Sequence, residues 1–143
     1  MATIVKFTPY NTADVAVAGA SLNALAIGAY AYGAEIDNST LLYEMGAFTL
    51  ALSSAVLSVA PAFLSVFWLP NIDGNYTAAS GNPGTSSLVG TWSGPGGSIQ
   101  FMQVPLLNIT LKGKVVIQNN LGVALPATAT SVCSLRRFAD QAV

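Results

Sequence analysis

An all-β fold, an antiparallel β-sandwich or jelly roll of seven to eight short strands with an extended N-terminal arm, is what this sequence predicts. Three observations carry that expectation. Short runs alternate apolar and polar residues with period two. Clusters of Gly, Pro, Asn, Asp and Ser separate those runs at short intervals. Few segments hold helical spacing, so a layered β architecture is the remaining solution for burying the apolar faces. The 143 residues are enough for one domain. We divide them into an arm, residues 1–13, and a single domain, residues 14–143.

The arm holds Ile4, Val5 and Phe7, but Pro9, Asn11 and Thr12 interrupt any regular pattern. Pro9 biases Thr8 towards an extended shape. Asp14 to Gly19 (DVAVAG) alternates as a first short strand. In Ser21 to Ala29, Leu22, Leu25 and Ala26 have helical spacing, whereas Gly28 followed by Tyr30 and Tyr32 argues for extended chain, the reading adopted here. Glu35 to Thr40 (EIDNST) is a polar turn cluster.

Leu41 to Ser53 alternates, with Phe48, Leu50 and Leu52 on one face and Ala47, Thr49, Ala51 and Ser53 on the other. Phe63 to Leu69 (FLSVFWL) is apolar on both faces, the mark of a central strand covered on two sides. Asn71 to Ser98 is rich in Gly, Pro, Ser and Asn. A connection so long is unusual in a compact domain; either a short strand at Ser87 to Trp92 breaks it, or it is an exposed interaction loop. Asp73-Gly74-Asn75 is a turn signal.

Ile99 to Val104 alternates, and Pro105 is expected to end or bulge that strand. Leu107 to Lys112 alternates most cleanly, and Gly113 and Lys114 are expected to turn or bulge the chain into Val115 to Gln118. Asn119 to Gly122 is a further turn. Thr130 to Phe138 is the last strand, with Ser131, Cys133, Leu135 and Arg137 opposing Val132, Ser134, Arg136 and Phe138.

Charge is the unusual feature of the composition. Charged residues make up 8% of the chain, against about 25% in an ordinary soluble domain, and the net charge is −1. So little charge protects poorly against association. The chain therefore sits in lipid, or other protein covers much of its surface. Between Glu44 and Asp73 the run Met45 to Ile72 carries no charge. As a helix, Phe48 to Leu69 would be about 33 Å long and would span a bilayer. Pro61 lies inside it, however, and no Lys or Arg flanks it to set an orientation. Two β-strands broken near Pro61 account for the same residues, and no membrane role is expected.

Conventional chemistry is hard to assemble from these residues. There is no histidine, which removes the commonest general base and metal ligand. No catalytic residue, cofactor or metal site is assigned, and the chain is not expected to be an enzyme. Glu35, Asp37 and Asp73 are the only acids that might cluster as a calcium site or a carboxylate pair; their spacing matches no calcium loop, and solvated turn acids are the favoured reading. Gly94 to Gly97 lacks the lysine and helix of a phosphate loop. With no basic run, nucleic-acid binding is not expected. The single cysteine, Cys133, lies among alternating apolar residues and reads as a small buried hydrophobe. It fits a reducing compartment. Three Asn-x-Thr triplets, at Asn38, Asn75 and Asn108, read as coincidences in the absence of a secretory signal. Tyr76 and Trp92, in the long loop, are open between packing and a sugar platform.

The turn segments carry a resemblance. A Leu- and small-residue segment (Leu22 to Tyr32) precedes the acid–IDNST turn (Glu35 to Thr40). A strand running into LPNIDGNY (Leu69 to Tyr76, with Asn75 directly after Gly74) and NNLG (Asn119 to Gly122) follow. Together, over roughly Ser21 to Arg137, these resemble a group of small virion proteins of tailed bacteriophages. The shared motifs are turn signatures and carry no chemistry. The resemblance implies a β-sandwich virion component assembled in the bacterial cytoplasm, either a capsid decoration (cement) protein or an accessory of the tail or head that binds a host surface or glycan. Implied partners are the major capsid protein or another virion protein, and further copies of the chain, with a trimer among the possible homo-oligomers. Ile4, Val5 and Phe7 of the arm, with Tyr76 and Trp92 of the long loop, are the expected contact residues.

Overall fold

The computed structural model describes residues 5–7, 14–17, 19–40, 43, 45–51, 63–72, 74–76, 87–92, 101–107, 112–127, 131–138 and 140–142. The fold is all-β and antiparallel. In chain order the elements are β1 (Val5–Phe7), β2 (Asp14–Val17), α1 (Gly19–Leu22), β3 (Tyr30–Asp37), β4 (Met45–Ala51), β5 (Phe63–Ile72), β6 (Asn75–Tyr76), β7 (Ser87–Trp92), β8 (Phe101–Leu107), β9 (Lys112–Asn120), β10 (Val132–Phe138) and β11 (Asp140–Ala142). The expected strand segments fall on β2, β4, β5 and β7–β10. The exception is β3, whose residues the sequence divides between the segment running to Tyr30 and Tyr32 and the Glu35 to Thr40 turn, whereas the structure makes them one strand. The additional β1, β6 and β11 are only two or three residues long, too short to show a period.

One sheet has the order β2-β10-β4-β8, and a second has the order β3-β9-β5-β6 with β7 also paired to β5. The charge-free run thus gives one strand to each sheet, β4 to the first and β5 to the second. A single hydrophobic cluster takes side chains from both: Val17, Phe48, Cys133 and Leu135 from the first, and Leu64, Val66, Trp68, Val115 and Ile117 among those from the second. Burying each such side chain contributes about 1.5–3 kcal/mol. In β5, Ser65 and Leu69 are buried as well as Leu64, Val66 and Trp68, the two-sided burial expected of a strand lying between β9 and β7. In β10 the expected face is the buried one: Cys133, Leu135 and Arg137 are covered, as is Ser131 just before it. Among the described residues no helix is long and apolar enough to cross a membrane.

Several local expectations need correction. Ser21 to Ala29 is not extended chain. Leu22 closes the single turn of α1, and Asn23 N–H donates to Gly19 O at 2.8 Å and Ala29 N–H to Ala26 O at 3.1 Å. Leu22 and Leu25 fill the core, so their helical spacing was the truer signal, and Gly28 supplies a left-handed turn with φ +76°. Extended chain begins at Tyr30. Glu35 and Asp37 belong to β3, and the turn starts only at Asn38.

Pro105 neither ends nor bulges its strand: β8 runs in unbroken register with β4 from Phe101 to Leu107, Pro105 facing Ala47. As the outer strand of its sheet, β8 is where a missing N–H is tolerated. Gly113 and Lys114 likewise lie inside β9, Gly113 facing Ile36 on β3 and Pro70 on β5. The irregularity sits across the pairing instead, between Tyr32 and Glu35. The expected strand Leu107 to Lys112 is divided between the end of β8 and the start of β9, and its middle, 108–111, lies outside the described residues.

Candidate functional site

Charge is segregated along β9. Residues 15–34 and 115–135 contain no charged side chain. At the Lys112 end of β9, antiparallel pairing with β3 sets Asp37 opposite Lys112 and Glu35 opposite Lys114. Because side chains alternate along a strand, the two acids share one face and so do the two lysines, an arrangement in which opposite-charge neighbours attract.

Lys112 Nζ lies 3.0 Å from Asp37 Oδ2 and 3.7 Å from Glu35 Oε1. The Asp37 carboxylate also accepts from Ser39 N–H at 2.8 Å and Ser39 Oγ at 2.5 Å. Glu35 Oε2 accepts from the hydroxyl of Tyr76 and from Asn71 Nδ2 at 3.1 Å. Both donors come from the hairpin in which Asn71 on β5 faces Tyr76 on β6, with Gly74 at φ +83° in the turn. Lys114 Nζ sits 4.3 Å from the centre of the Tyr76 ring, a cation–π contact.

These contacts set the protonation states. The hydroxyl of Ser39 and its backbone N–H, then Lys112, hold Asp37 down at about 2. The Tyr76 and Asn71 hydrogen bonds lower Glu35. Asp37 first, and then Glu35, raise Lys112. Burial, followed by the hydrogen bond to Glu35, pushes Tyr76 up to about 12. All four shifts run away from neutrality, so these groups are poorly matched to proton transfer near pH 7. Joining Lys112 to Asp37 through an amide bond would need a neutral amine and a protonated acid, and both shifts oppose that as well. The arrangement does mechanical work: it pins the β5–β6 hairpin to β3 and β9.

A second link lies nearby. Buried Arg137 on β10 donates through Nη1 to Asp37 O at 2.8 Å and to Asn38 Oδ1 at 3.3 Å, and its guanidinium lies 5.7 Å from the Tyr43 ring centre. Asn38 and Tyr43 bond reciprocally, Asn38 Nδ2 to Tyr43 O and Tyr43 N–H to Asn38 Oδ1. Arg137 therefore fastens the first sheet to the end of β3 in the second.

The opposite end of β9 is built differently. Asn119 is fully buried; its Nδ2 donates to Leu25 O and Val123 O, each at 2.8 Å, and its Oδ1 accepts from Leu121 N–H at 2.9 Å. Its backbone bonds Ala29 and Gly28, while Leu125 N–H donates to Leu25 O and Ala24 N–H to Pro126 O. Two uncharged loops, 23–29 and 121–127, are thereby locked side by side. They expose Ile27 at 60% and Val123 at 36%. Among the described residues the remaining exposed large apolar side chain is Ile72, which follows Asn71 at the end of β5.

Of the expected contact residues, Tyr76 joins the charged cluster, its ring covered by Lys114 and its hydroxyl given to Glu35. Val5 and Phe7 form β1, which pairs with β11 at the other terminus, Val5 facing Ala142 and Phe7 facing Asp140. Trp92 ends β7 and faces Leu64. Ile4 and Asp73 lie outside the described residues. The structure does not bring Tyr76, Trp92 and the arm together as one described site. Sequence reasoning singled out Glu35 and Asp37 but missed Lys112, Lys114 and Asn71. The available signal was a period-two acid pair and a period-two lysine pair, EID and KGK. Cys133 is fully buried, and burial raises its thiol to about 12. Among the described residues, no three His, Cys, Asp or Glu side chains converge as a metal site.

No protein-family model matches the chain, and no curated protein matches it in sequence.

Proposed function

We propose that this chain is a non-enzymatic structural subunit of a bacteriophage virion. In this reading it is a β-sandwich capsid decoration (cement) protein that self-associates and binds the major capsid protein, stabilising the shell. The observation that carries the reading is the polarity of the domain. Charged side chains collect at one end of β9 in a network whose groups satisfy one another. The other end presents uncharged loops with Ile27 and Val123 in solvent, on a framework that buried Asn119 makes rigid. Covering such an end with protein removes apolar surface from water and strands no charge. A shell then multiplies modest contacts through repetition.

The alternative, a head or tail module that binds a host surface or glycan, draws less support. A stacking platform needs an open aromatic face, and Lys114 lies over one face of the Tyr76 ring. The test is the protein composition and density map of purified particles. The proposal expects the chain on the outside of the head, contacting the shell through the Ile27 and Val123 end, and expects particles lacking it to open at lower temperature. Its absence from particles would overturn the reading; a position on the tail would support the accessory role instead.

A further inference from the structure

The eight longer strands, β2–β5 and β7–β10, meet in a fixed way. Antiparallel pairing sets the starts of β3, β5, β8 and β10 and the finishes of β2, β4, β7 and β9 at the Asn119 end of the sheets. The four stretches of sequence that join those strand ends, residues 18–29, 52–62, 93–100 and 121–131, contain no Asp, Glu, Lys or Arg. All five basic and six acidic residues belong to the other end. Asp14 opens β2, Glu35 and Asp37 lie in the last three residues of β3, Lys112 and Lys114 in the first three of β9, and Arg136 and Arg137 in the last three of β10. Glu44 directly precedes the start of β4 and Asp73 directly follows the finish of β5, and both of those strand ends are there. Lys6 and Asp140 are in the β1–β11 ribbon, which takes up the chain two residues after β10 finishes at that end.

The domain is therefore amphipathic along its strands rather than across one face. Covering the charged end would take its ions out of water, a cost that only close pairing repays. Covering the Asn119 end strands no charge of this chain, and a charge on the partner would find none to pair with, so the patch that fits is uncharged too. Lipid does not fit. No lysine or arginine is there to meet anionic headgroups, and the irregular loops 23–29 and 121–127 carry backbone groups that hydrocarbon cannot satisfy. A second free copy fits poorly as well. Among the described residues this end exposes two large apolar side chains, Ile27 and Val123, against roughly 800 Å² a side for a stable pair. A shell offers one patch many times to copies that associate, and repetition makes up the difference.

We infer that the domain stands on the shell by its Asn119 end, against an uncharged patch of the shell protein, with the charged end and the β1–β11 ribbon facing outward. The inference rests on the proposed capsid role and adds to it the chemistry of the partner's patch and the orientation of the subunit. It also takes Val5 and Phe7, in the ribbon, away from the docking contact.

The test adds the purified full-length chain to shells that lack it. Occupancy should change by less than about twofold between about 0.05 and about 0.5 M sodium chloride, because no ion pair is there to screen. A tag joined to either end of the chain should stay open to protease on intact particles, as on the free chain. Ile27→Lys should lower occupancy by about tenfold or more with Tm unchanged, since Ile27 is exposed, and Val123→Lys repeats the measurement on the second loop. Arg136→Ser, exposed at the other end, should leave occupancy as it is. Occupancy that falls about tenfold with salt, tags protected on the particle, or equal losses in the Ile27 and Arg136 variants would each overturn the inference while leaving a capsid role standing. Copies joined in sedimentation, or flotation with neutral phosphatidylcholine vesicles, if abolished by Ile27→Lys, would give this end to a second copy or to lipid and overturn it as well. No binding to shells at all would overturn both readings.

Discussion

The indole of Trp68 occupies the space that a side chain at position 113 would need. A Cβ on Gly113 would lie 2.8 Å from Trp68 Cη2 and closer still to Cζ2. On the adjoining strands Trp68 faces Val115 and Pro70 faces Gly113, so the ring lies diagonally across the pair. A glycine inside a strand commonly marks such a close approach, and here the approach lets the largest side chain of β5 be buried.

Gly113→Ala should therefore destabilise the fold although alanine suits a strand better than glycine. Overpacking of this kind costs about 1–3 kcal/mol and should lower Tm by roughly 4–10 °C. The check is a thermal unfolding series with Trp68→Leu added. The smaller side chain should recover part of the loss at position 113, and additive effects would show that the contact is not responsible.

Asn119 makes a larger demand. Asn119→Ala removes the donor from two buried-end carbonyls, Leu25 O and Val123 O, and the acceptor from Leu121 N–H. Leu25 O keeps its bond from Leu125 N–H, so Val123 O and Leu121 N–H are the groups that lose their partner, and at about 1–3 kcal/mol for each a loss of about 2–6 kcal/mol is expected. Amide exchange should accelerate at Leu121 and Leu125 before the β5–β9 ladder opens. Asn119→Asp should be no milder, because a carboxylate cannot donate to the two carbonyls. Uniform exchange across the domain would contradict a local role.

These two residues also show what was legible in the sequence. Alternation is a local signal, so the buried face of β10 through Cys133, Leu135 and Arg137 was readable, as was the two-sided burial of β5. A strand at Ser87 to Trp92 was one of two readings that the turn residues around it allowed, and it is the one the structure takes. Partner choice is not local. Gly113 looked like a turn because nothing within several residues reveals Trp68, and Pro105 looked like a stop because an outer position follows from sheet order. Asn119 carried a turn signature, and its burial follows from two loops about 95 residues apart in the chain, since Leu25 O is 94 positions away. Glu35, Asp37, Lys112 and Lys114 meet only through the β3–β9 register.

The charged cluster should set both ends of the pH–stability profile. Asp37 is held at about 2, below its ordinary 3.8, and Glu35 is lowered as well. Their ionised forms are favoured by folding, so that stabilisation is whole above the ordinary carboxylate range and is lost as pH falls from 3.8 towards 2. Tyr76 runs the other way: its folded value of about 12 exceeds the ordinary 10.0, so its contribution is whole below pH 10 and is lost as pH rises through 12. Lys112, also raised, has the same sign. Carboxyl NMR titration should find Asp37 well below its ordinary 3.8, and Lys112→Met should move it upward. Tyr76→Phe should remove a tyrosine ionisation near pH 12 in an ultraviolet titration. An Asp37 midpoint unchanged in Lys112→Met would remove the lysine from the account.

The uncharged end separates folding from docking. Ile27 is 60% exposed and Val123 36%, so Ile27→Ser with Val123→Ser should alter stability by no more than about 0.5 kcal/mol per site. The Asn119 bonds that hold both loops run to backbone atoms at Leu25 and Val123, so they survive these changes. If this end is covered in a particle, each truncation exposes less apolar surface when free and buries less when bound, and at a central contact position such changes cost more than about 1 kcal/mol. The double variant should therefore unfold as the wild type does yet occupy particles less densely. Unchanged occupancy with unchanged stability would move the docking surface away from these loops. A lowered Tm would show that the two side chains support the Asn119 framework.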